Sequence, residues 1–321
     1  MSTSRTTTPL VAIVTCAAFA DLDPDDQLLL PALTVQKMNY QVAVWDDPTV
    51  KWENFDLILI RSTWDYSPRR TEFIAWLTKV STVSTLINPV DVIAWSSDKH
   101  YLNDLSNAGI PTVPTSFFEI GDALVLPEEQ FVIKPSISAG SRDTYRLSAD
   151  KRDEALEAME SIHASGRSVM IQPYLKSVDT SAETALIFIA GVFSHAIRKG
   201  PLLQLDNAAQ EFHGGLFIKE EITARTATPA QLKVAHQALT IAPQGWVYAR
   251  VDLIDDDQGN PVVLELEMVE PSLFFEVDSD IATGAPGRLA QAIAQLCQYV
   301  DLEIIEGPPP RRSDGRRPTK L

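Results

Sequence analysis

Four charged residues in one short stretch have the types and the spacing for chemistry: Arg250, Asp252, Glu265 and Glu267. Around them, residues 246–272 form two apolar-rich runs either side of the polar segment Asp255-Asp-Asp-Gln-Gly-Asn-Pro261. The pattern predicts a β-hairpin. Side chains alternate across a strand, so Arg250 and Asp252 share one face, with Val251 and Leu253 on the other. On the return strand Glu265 and Glu267 lie opposite Leu264, Leu266 and Met268. Folding about the middle of the loop sets Asp252 across from Leu264 and Glu265. Three carboxylates and one guanidinium then crowd one face, where like charges repel more strongly as water is excluded. Carboxylates that share a hard cation with phosphate oxygens would turn this crowding into a phosphoryl-transfer site. The plain alternative is a solvated acidic face on an edge hairpin.

Other candidates lie upstream. Lys99 falls on an expected helix, 98–109, closed by Gly109. Lys134 ends an expected strand, 131–135, and leads into the small-residue loop Ser136-Ile-Ser-Ala-Gly-Ser141, with Ser138 and Gly140 at its middle. Taken singly these are a solvated lysine and a turn; their order and spacing relative to the acidic hairpin carry the signal. His195 shares a strand face with Ile197 and Lys199, and reads equally as a site residue or a satisfied structural histidine. Arg61, Trp64 and Asp65 follow another strand. Arg61 could hold a substrate carboxylate or form an ion pair between domains.

The elements that must position these residues begin with alternating strands and helices. Strands are expected over 10–16, 41–46, 56–63 and 86–89, and helices over 25–38 and 71–80. Apolar strands alternating with helices predict a small parallel sheet covered on both faces, with ligands at the carboxyl ends of its strands. Further on, helices are expected over 150–165, 228–242 and 286–299, and strands over 169–175, 183–190 and 192–199. Thr228-Pro-Ala-Gln231 has the form of a capping box. Beyond Gly307 a Pro- and Arg-rich tail is expected to be disordered.

Composition bounds the rest. The 321 residues suffice for two or three packed subdomains, and 45% hydrophobic with 22% charged residues is ordinary for a globular chain. A net charge of −16 argues against nucleic acid and anionic membrane as partners. Cys16 and Cys297 lack metal-ligand spacing and fit a reducing, cytoplasmic setting. Arg5 and the run 10–20 loosely imitate a signal peptide, but residues 10–16 read better as a buried first strand. P-loop, Rossmann, zinc-protease and serine-hydrolase motifs are missing.

On these residues the chain resembles the ATP-grasp superfamily, of the glutathione synthetase and D-alanine ligase type, from Leu10 to about Glu306. The resemblance implies a mixed α/β fold: an N-terminal domain over 1–96, a central lid subdomain over 97–175, a catalytic subdomain over 176–306, and a tail over 307–321. It implies ATP and Mg²⁺ as cofactors, with two ions expected and Mn²⁺ as a substitute. Lys99, Lys134 and Lys199 would face the phosphates under the loop Ser136–Ser141. Gln172, Tyr174 and Leu175 would read adenine, and Glu183, or else Asp179, would bind ribose. Arg250 would stand near the transferred phosphate, and Asp252, Glu265 and Glu267 would hold metal. Glu267 stands where asparagine is commoner, adding one negative charge.

The phrases Arg61-Ser-Thr-Trp-Asp-Tyr66, Ser194-His-Ala-Ile-Arg-Lys-Gly-Pro201 and Glu265-Leu-Glu-Met-Val-Glu-Pro-Ser272 are similar to those of the cyclo-ligase branch acting on O-ureido-serine. That implies an ADP-forming C–N ligase with an amino-acid-like substrate, bound near Arg61, Trp64, Asp65, Glu270 and Ser272. An intermolecular ligase and a non-catalytic nucleotide-binding protein remain open, as does a homodimer.

Overall fold

The computed structural model describes residues 8–203, 205, 212–213, 217–218 and 221–306, and the expected tail lies outside them. The N-terminal part runs β1 (Leu10–Thr15), α1 (Pro24–Gln27), α2 (Leu29–Val35), β2 (Asn39–Val44), β3 (Leu57–Ile60), α3 (Arg70–Val80) and β4 (Thr85–Ile87). The strands are parallel in the order β2-β1-β3-β4. Alternation gives each face of the sheet its own core. Val11, Ile13, Leu57 and Leu59 pack with Leu29 and Leu33 on one side, and Ala12, Val14, Ile58 and Ile60 with Phe73 and Leu77 on the other. The helix expected over 25–38 is two helices that meet at Leu28. Pro31 explains the break: it has no amide hydrogen, and its ring opposes the carbonyl four residues back, at Gln27.

Two short helices follow, α4 (Val90–Ser96) and α5 (Tyr101–Asn107). Lys99 therefore sits in the turn between helices, not within one. Tyr101, Leu102 and Leu105 of α5 pack against Leu186, Phe188, Val251 and Leu266, in the core of the C-terminal sheet. The central antiparallel sheet comprises β5 (Ser116–Phe118), β6 (Phe131–Pro135), β7 (Tyr145–Leu147) and β8 (Val169–Pro173), in the order β5-β8-β6-β7. Helix α6 (Arg152–Ala164) covers it, with Ala155, Met159 and Ile162 against Phe131, Ile133 and Leu147. At three residues each, β5 and β7 are too short to show a period.

Next come α7 (Ser177–Ser181), β9 (Glu183–Ile189), β10 (Val192–Lys199), the short pair β11 (Phe212–His213) and β12 (Phe217–Ile218), β13 (Ile222–Arg225) and α8 (Pro229–Leu239). The capping box forms as expected: Gln231 N donates to Thr228 Oγ1 at 3.2 Å, and Thr228 N to Gln231 Oε1 at 2.9 Å. The acidic hairpin is β14 (Tyr248–Asp255) and β15 (Pro261–Glu267), and α9 (Ala285–Glu306) closes the described chain. The sheet order is β13-β10-β9-β14-β15, so β14 is interior. Leu289 and Ile293 of α9 join the core that also holds Val11, Ile13 and Ile187, so the N-terminal and C-terminal sheets share packing. Among the described residues no helix is long and apolar enough to cross a membrane.

Candidate active site

The hairpin register decides which charges meet. Arg250 pairs with Glu267 and Asp252 with Glu265, and the register then shifts so that Leu253 pairs with Val263. Leu264 is the extra residue, a bulge of the kind that re-aims side chains beside functional sites. Paired residues share a face, so the expected crowding is real. It is relieved by cations held in place. Arg250 Nε donates to Asp252 Oδ1 at 2.8 Å, its Nη2 to Asp252 Oδ2 at 3.0 Å, and Nη2 also contacts Glu267 Oε1. Lys199 Nζ lies 3.2 Å from Asp252 Oδ2 and 3.5 Å from Glu183 Oε2. Lys99 Nζ pairs with Glu265 Oε1 at 2.9 Å and donates to the Ser138 carbonyl at 3.0 Å.

These groups border one cavity of about 640 Å³, between the central and C-terminal sheets and the N-terminal domain. Lys99, Lys134, Lys199, Arg250, Glu183, Glu265 and Glu267 all line it. So do Ser138, Gly140, Ser141, Gln172, Tyr174 and Leu175, and at another part of the wall Trp64, Glu270 and Ser272. Among the described residues Lys134 Nζ makes no hydrogen bond or ion pair. Burial lowers its pKa, with Glu265 acting in the opposite sense. Gly140 and Ser141 both have positive φ, +63° and +58°. Gln172 Nε2 donates to Thr115 Oγ1 at 2.9 Å, and Arg146 stacks over the Tyr174 ring at 3.4 Å.

The carboxylates divide by environment. Asp252, 1% exposed, is shifted down: burial opposes ionisation, but Arg250 and Lys199 outweigh it. Glu265 is likewise held below its usual range, against burial, by Lys99 and Lys134. Glu267 is pushed up to about 7 by burial, and Glu265 and Asp252 add to that rise against the pull of Arg250. Glu270 is pushed well above its usual range, by burial first and then by Glu267.

Six expected site residues are placed elsewhere or differently. Asp252, expected to hold metal, is buried behind Arg250 and Lys199, which take up its oxygens, and it does not line the cavity. Arg61, 1% exposed, bonds Asp26 through Nε (2.8 Å) and Nη2 (2.7 Å) and the Pro271 carbonyl through Nη2 (2.8 Å). The expected interdomain ion pair is instead one within the N-terminal domain, to Asp26; only the bond to the Pro271 carbonyl crosses to the C-terminal part, and Arg61 does not line the cavity. Asp65 accepts from Trp45 Nε1 at 2.9 Å and is also outside the lining. His195 is a structural histidine: Nε2 donates to the Leu273 carbonyl at 2.9 Å, leaving Nδ1 to accept from Ser194 Oγ at 2.8 Å, and burial lowers its pKa. It holds the segment that carries Ser272 and Phe274. Asp179 accepts from Tyr174 OH at 2.7 Å and stays outside the cavity, whereas Glu183 is inside. Ser136 is buried beneath the loop, where its carbonyl accepts from Lys99 N at 2.9 Å.

Sequence reasoning missed Asp23, Asp25, Tyr66, Phe274 and Glu276, which also line the cavity. Asp25 lay within the expected helix 25–38, where an acid in the first turn is unremarkable. No local signal marked it.

Among the described residues no group of three or more Asp, Glu, His or Cys is arranged to hold a metal ion by itself. The arrangement instead offers two cavity-facing carboxylates, Glu265 and Glu267, beside three lysines and an arginine. Such a set can hold a polyphosphate together with its divalent cation, because the phosphate oxygens complete the coordination.

Comparison with known proteins agrees with this geometry. Residues 11–88 match the family model described as the N-terminal domain of D-cycloserine synthetase DcsG. The cycloserine biosynthesis protein DcsG of Streptomyces lavendulae is 36% identical over 300 residues, covering 89% of this chain and 98% of that protein. The crystal structure of D-cycloserine synthetase DcsG is similar at a TM-score of 0.80 with 33% identity, over 89% of this chain and 99% of that one. A D-alanine–D-alanine ligase from Bacillus anthracis, complexed with ATP, has the same fold at a TM-score of 0.61 and 15% identity, over 92% of this chain and all of that one. With more than a third of its residues identical across nearly a whole relative, the chain belongs to the D-cycloserine synthetase family of ATP-grasp ligases.

Proposed function

We propose that this ATP-dependent ligase closes O-ureido-D-serine to D-cycloserine, using Mg²⁺·ATP. The observation that carries the reading is the convergence of Lys99, Lys134, Lys199 and Arg250 with Glu265 and Glu267 on one cavity, in a chain of this family. The γ-phosphoryl group of ATP passes to the substrate carboxylate, giving ADP and an acyl phosphate. The ureido nitrogen next to oxygen then attacks the acyl carbon, phosphate leaves, and the isoxazolidinone ring closes. Hydrolysis of the carbamoyl group releases CO₂ and ammonia.

The protein's part is positioning and charge neutralisation. Lys99, Lys134 and Lys199 hold the phosphates, with the loop Ser136–Ser141 above them. Gln172, Tyr174 and Leu175 border the adenine, and Glu183 the ribose. Arg250, fixed by Asp252 and by the Ser272 carbonyl (3.1 Å from Nη1), meets the transferring phosphoryl group. Glu265 and Glu267 would hold two Mg²⁺ ions, or Mn²⁺ in their place, with Asp252 adding charge from behind Arg250. The two carboxylates fit that task, because both face the cavity from neighbouring positions on one strand face, beside the phosphate-holding lysines. Bound metal supplies charge neutralisation along the triphosphate. Cys16 and Cys297, both buried and neither in a disulfide, support a cytoplasmic setting.

Incubation with ATP, Mg²⁺ and O-ureido-D-serine tests the reading. ADP release with a product at the mass of cycloserine is expected. Release that requires a second amine would make the chain an intermolecular ligase, and no turnover with any amino acid would make it a nucleotide-binding protein.

A further inference from the structure

Three successive carbonyls in the segment that follows β15 are held by side chains from three different elements. Pro271 O accepts from Arg61 Nη2 at 2.8 Å, Ser272 O from Arg250 Nη1 at 3.1 Å, and Leu273 O from His195 Nε2 at 2.9 Å. A carbonyl taken out of water needs a donor, and here no strand or helix supplies one. Phe274, next in line, sits in the left-handed region at φ +51°, a conformation that a bulky residue keeps only where its surroundings enforce it. Ser272 and Phe274 line the cavity.

The sheet register explains how one segment meets two of these donors. His195 on β10 pairs with Ile187 on β9, and Ile187 with Arg250 on β14. His195 and Arg250 therefore lie in one row on one face of the sheet, two strand spacings or about 10 Å apart. Ser272 and Leu273 bridge that row, with one carbonyl to each donor. The imidazole is aimed by its own strand. Neighbouring side chains of a regular strand point to opposite faces, yet Ser194 Oγ donates to His195 Nδ1 at 2.8 Å. Ser194 is the extra residue of a bulge between the pairs Phe193–Phe188 and His195–Ile187, which turns it toward the ring. Arg288 Nη2 of α9 donates to Ser194 Oγ at 2.7 Å, so the hydroxyl proton points to Nδ1 and the ring proton sits on Nε2. The donors run in one direction, from Arg288 to Ser194 to His195 to the Leu273 carbonyl.

We propose that His195 is a positioning residue for phosphoryl transfer, acting on Arg250 through residues 272–274. The Ser272 carbonyl grips the Arg250 guanidinium, and Arg250 Cζ lies 5.5 Å from the centre of the Phe274 ring, within reach of a cation–π contact. Both groups belong to the segment that His195 fixes. A guanidinium that stabilises a transferring phosphoryl group has to be held in place beforehand, since misplacement by about 1 Å can cost about a hundredfold in rate.

This role rests on the reading that Arg250 meets the transferring phosphoryl group, and separate readouts test the two. His195→Phe keeps a ring and removes the donor, and His195→Gln restores an N–H at comparable reach. Ser194→Ala leaves the imidazole but frees its tautomer, and it replaces His195→Phe if that variant does not fold. With O-ureido-D-serine, kcat is expected to fall at least about tenfold in His195→Phe, with KM for ATP within about threefold of wild type, and to recover to within about threefold in His195→Gln. Ser194→Ala should lose about threefold, since one neutral tautomer still donates to Leu273. The Arg250 Nε–H signal in ¹⁵N–¹H spectra, assigned by its loss in Arg250→Lys, should shift in His195→Phe and Ser194→Ala and return in His195→Gln. An Arg250 signal that does not move overturns the inference, as does a moved signal with wild-type kcat, or an equal loss of kcat in His195→Phe and His195→Gln. Wild-type kcat in Arg250→Lys would instead remove the reading of Arg250 itself. If the wild-type protein releases no ADP with O-ureido-D-serine, kcat is read with whichever amino acid supports turnover, and if none does, the Arg250 signal alone decides.

Discussion

Arg250 bonds both oxygens of Asp252 and contacts Glu267, so one guanidinium is shared between a structural acid and a cavity-facing one. Lys99 is likewise shared, between Glu265 and the Ser138 carbonyl. Glu265→Gln is expected to cut ADP formation roughly a hundredfold or more, since metal-held charge is worth several kcal/mol in the transition state. Its melting temperature should stay close to wild type. Lys134→Ala is expected to weaken ATP binding roughly tenfold or more, the loss of one charged hydrogen bond, read by nucleotide titration. Glu267 gives a stability signature. Its pKa rises from 4.5 to about 7 on folding, so the folded state binds the extra proton between those values. Its contribution to stability is therefore full below about pH 4.5 and is lost as pH rises through 7. The difference in melting temperature between wild type and Glu267→Gln, followed from pH 5 to 7.5 without nucleotide, should change in that sense and level off above 7.

At the scale of elements, the turn after β4 ties the parallel sheet to the hairpin. Asn88 Nδ2 donates to the carbonyls of Tyr248 (2.9 Å) and Met268 (2.7 Å), and its Oδ1 accepts from Val247 N at 2.6 Å. Tyr248 OH adds bonds to the carbonyls of Ile60 and Val269 at 2.9 and 2.8 Å. Asn88→Ala would strand these buried groups at about 1–3 kcal/mol each. Urea unfolding should show a loss of that order, together with lower activity because the floor is no longer held against the N-terminal domain. Thr228→Ala removes a cap that does not line the cavity, and should cost about 1 kcal/mol with turnover unchanged.

At the scale of the whole molecule, the cavity exists because three units converge: the central sheet supplies Lys134 and Gln172, the C-terminal sheet Glu183, Arg250 and Glu265, and the N-terminal domain Asp25 and Trp64. A ligand touching all three stabilises their arrangement. Mg²⁺·ATP at about 100 times its Kd should raise stability by about 2.7 kcal/mol, read as a thermal shift, and Glu265→Gln should lose the Mg²⁺-dependent part of it.

The sequence by itself determined the parallel sheet, the acidic hairpin, the capped helix at Thr228 and the order of lysines before carboxylates. Each of these is written in a local period or spacing: two residues for strands, three and four for helices, and a capping motif at fixed offsets. The tertiary structure decided what no local period encodes. The bulge at Leu264 set the pairing of Asp252 with Glu265. Burial turned Arg61 and His195 from candidate site residues into clamps, and packing of α5 on the C-terminal sheet put Lys99 opposite Glu265. Asp25 became a cavity residue only when the fold carried α1 to the cavity that Glu270 also lines, 245 positions away in the chain. The strength of a charge depends on the water and the partners around it, and those are supplied by contacts between distant segments.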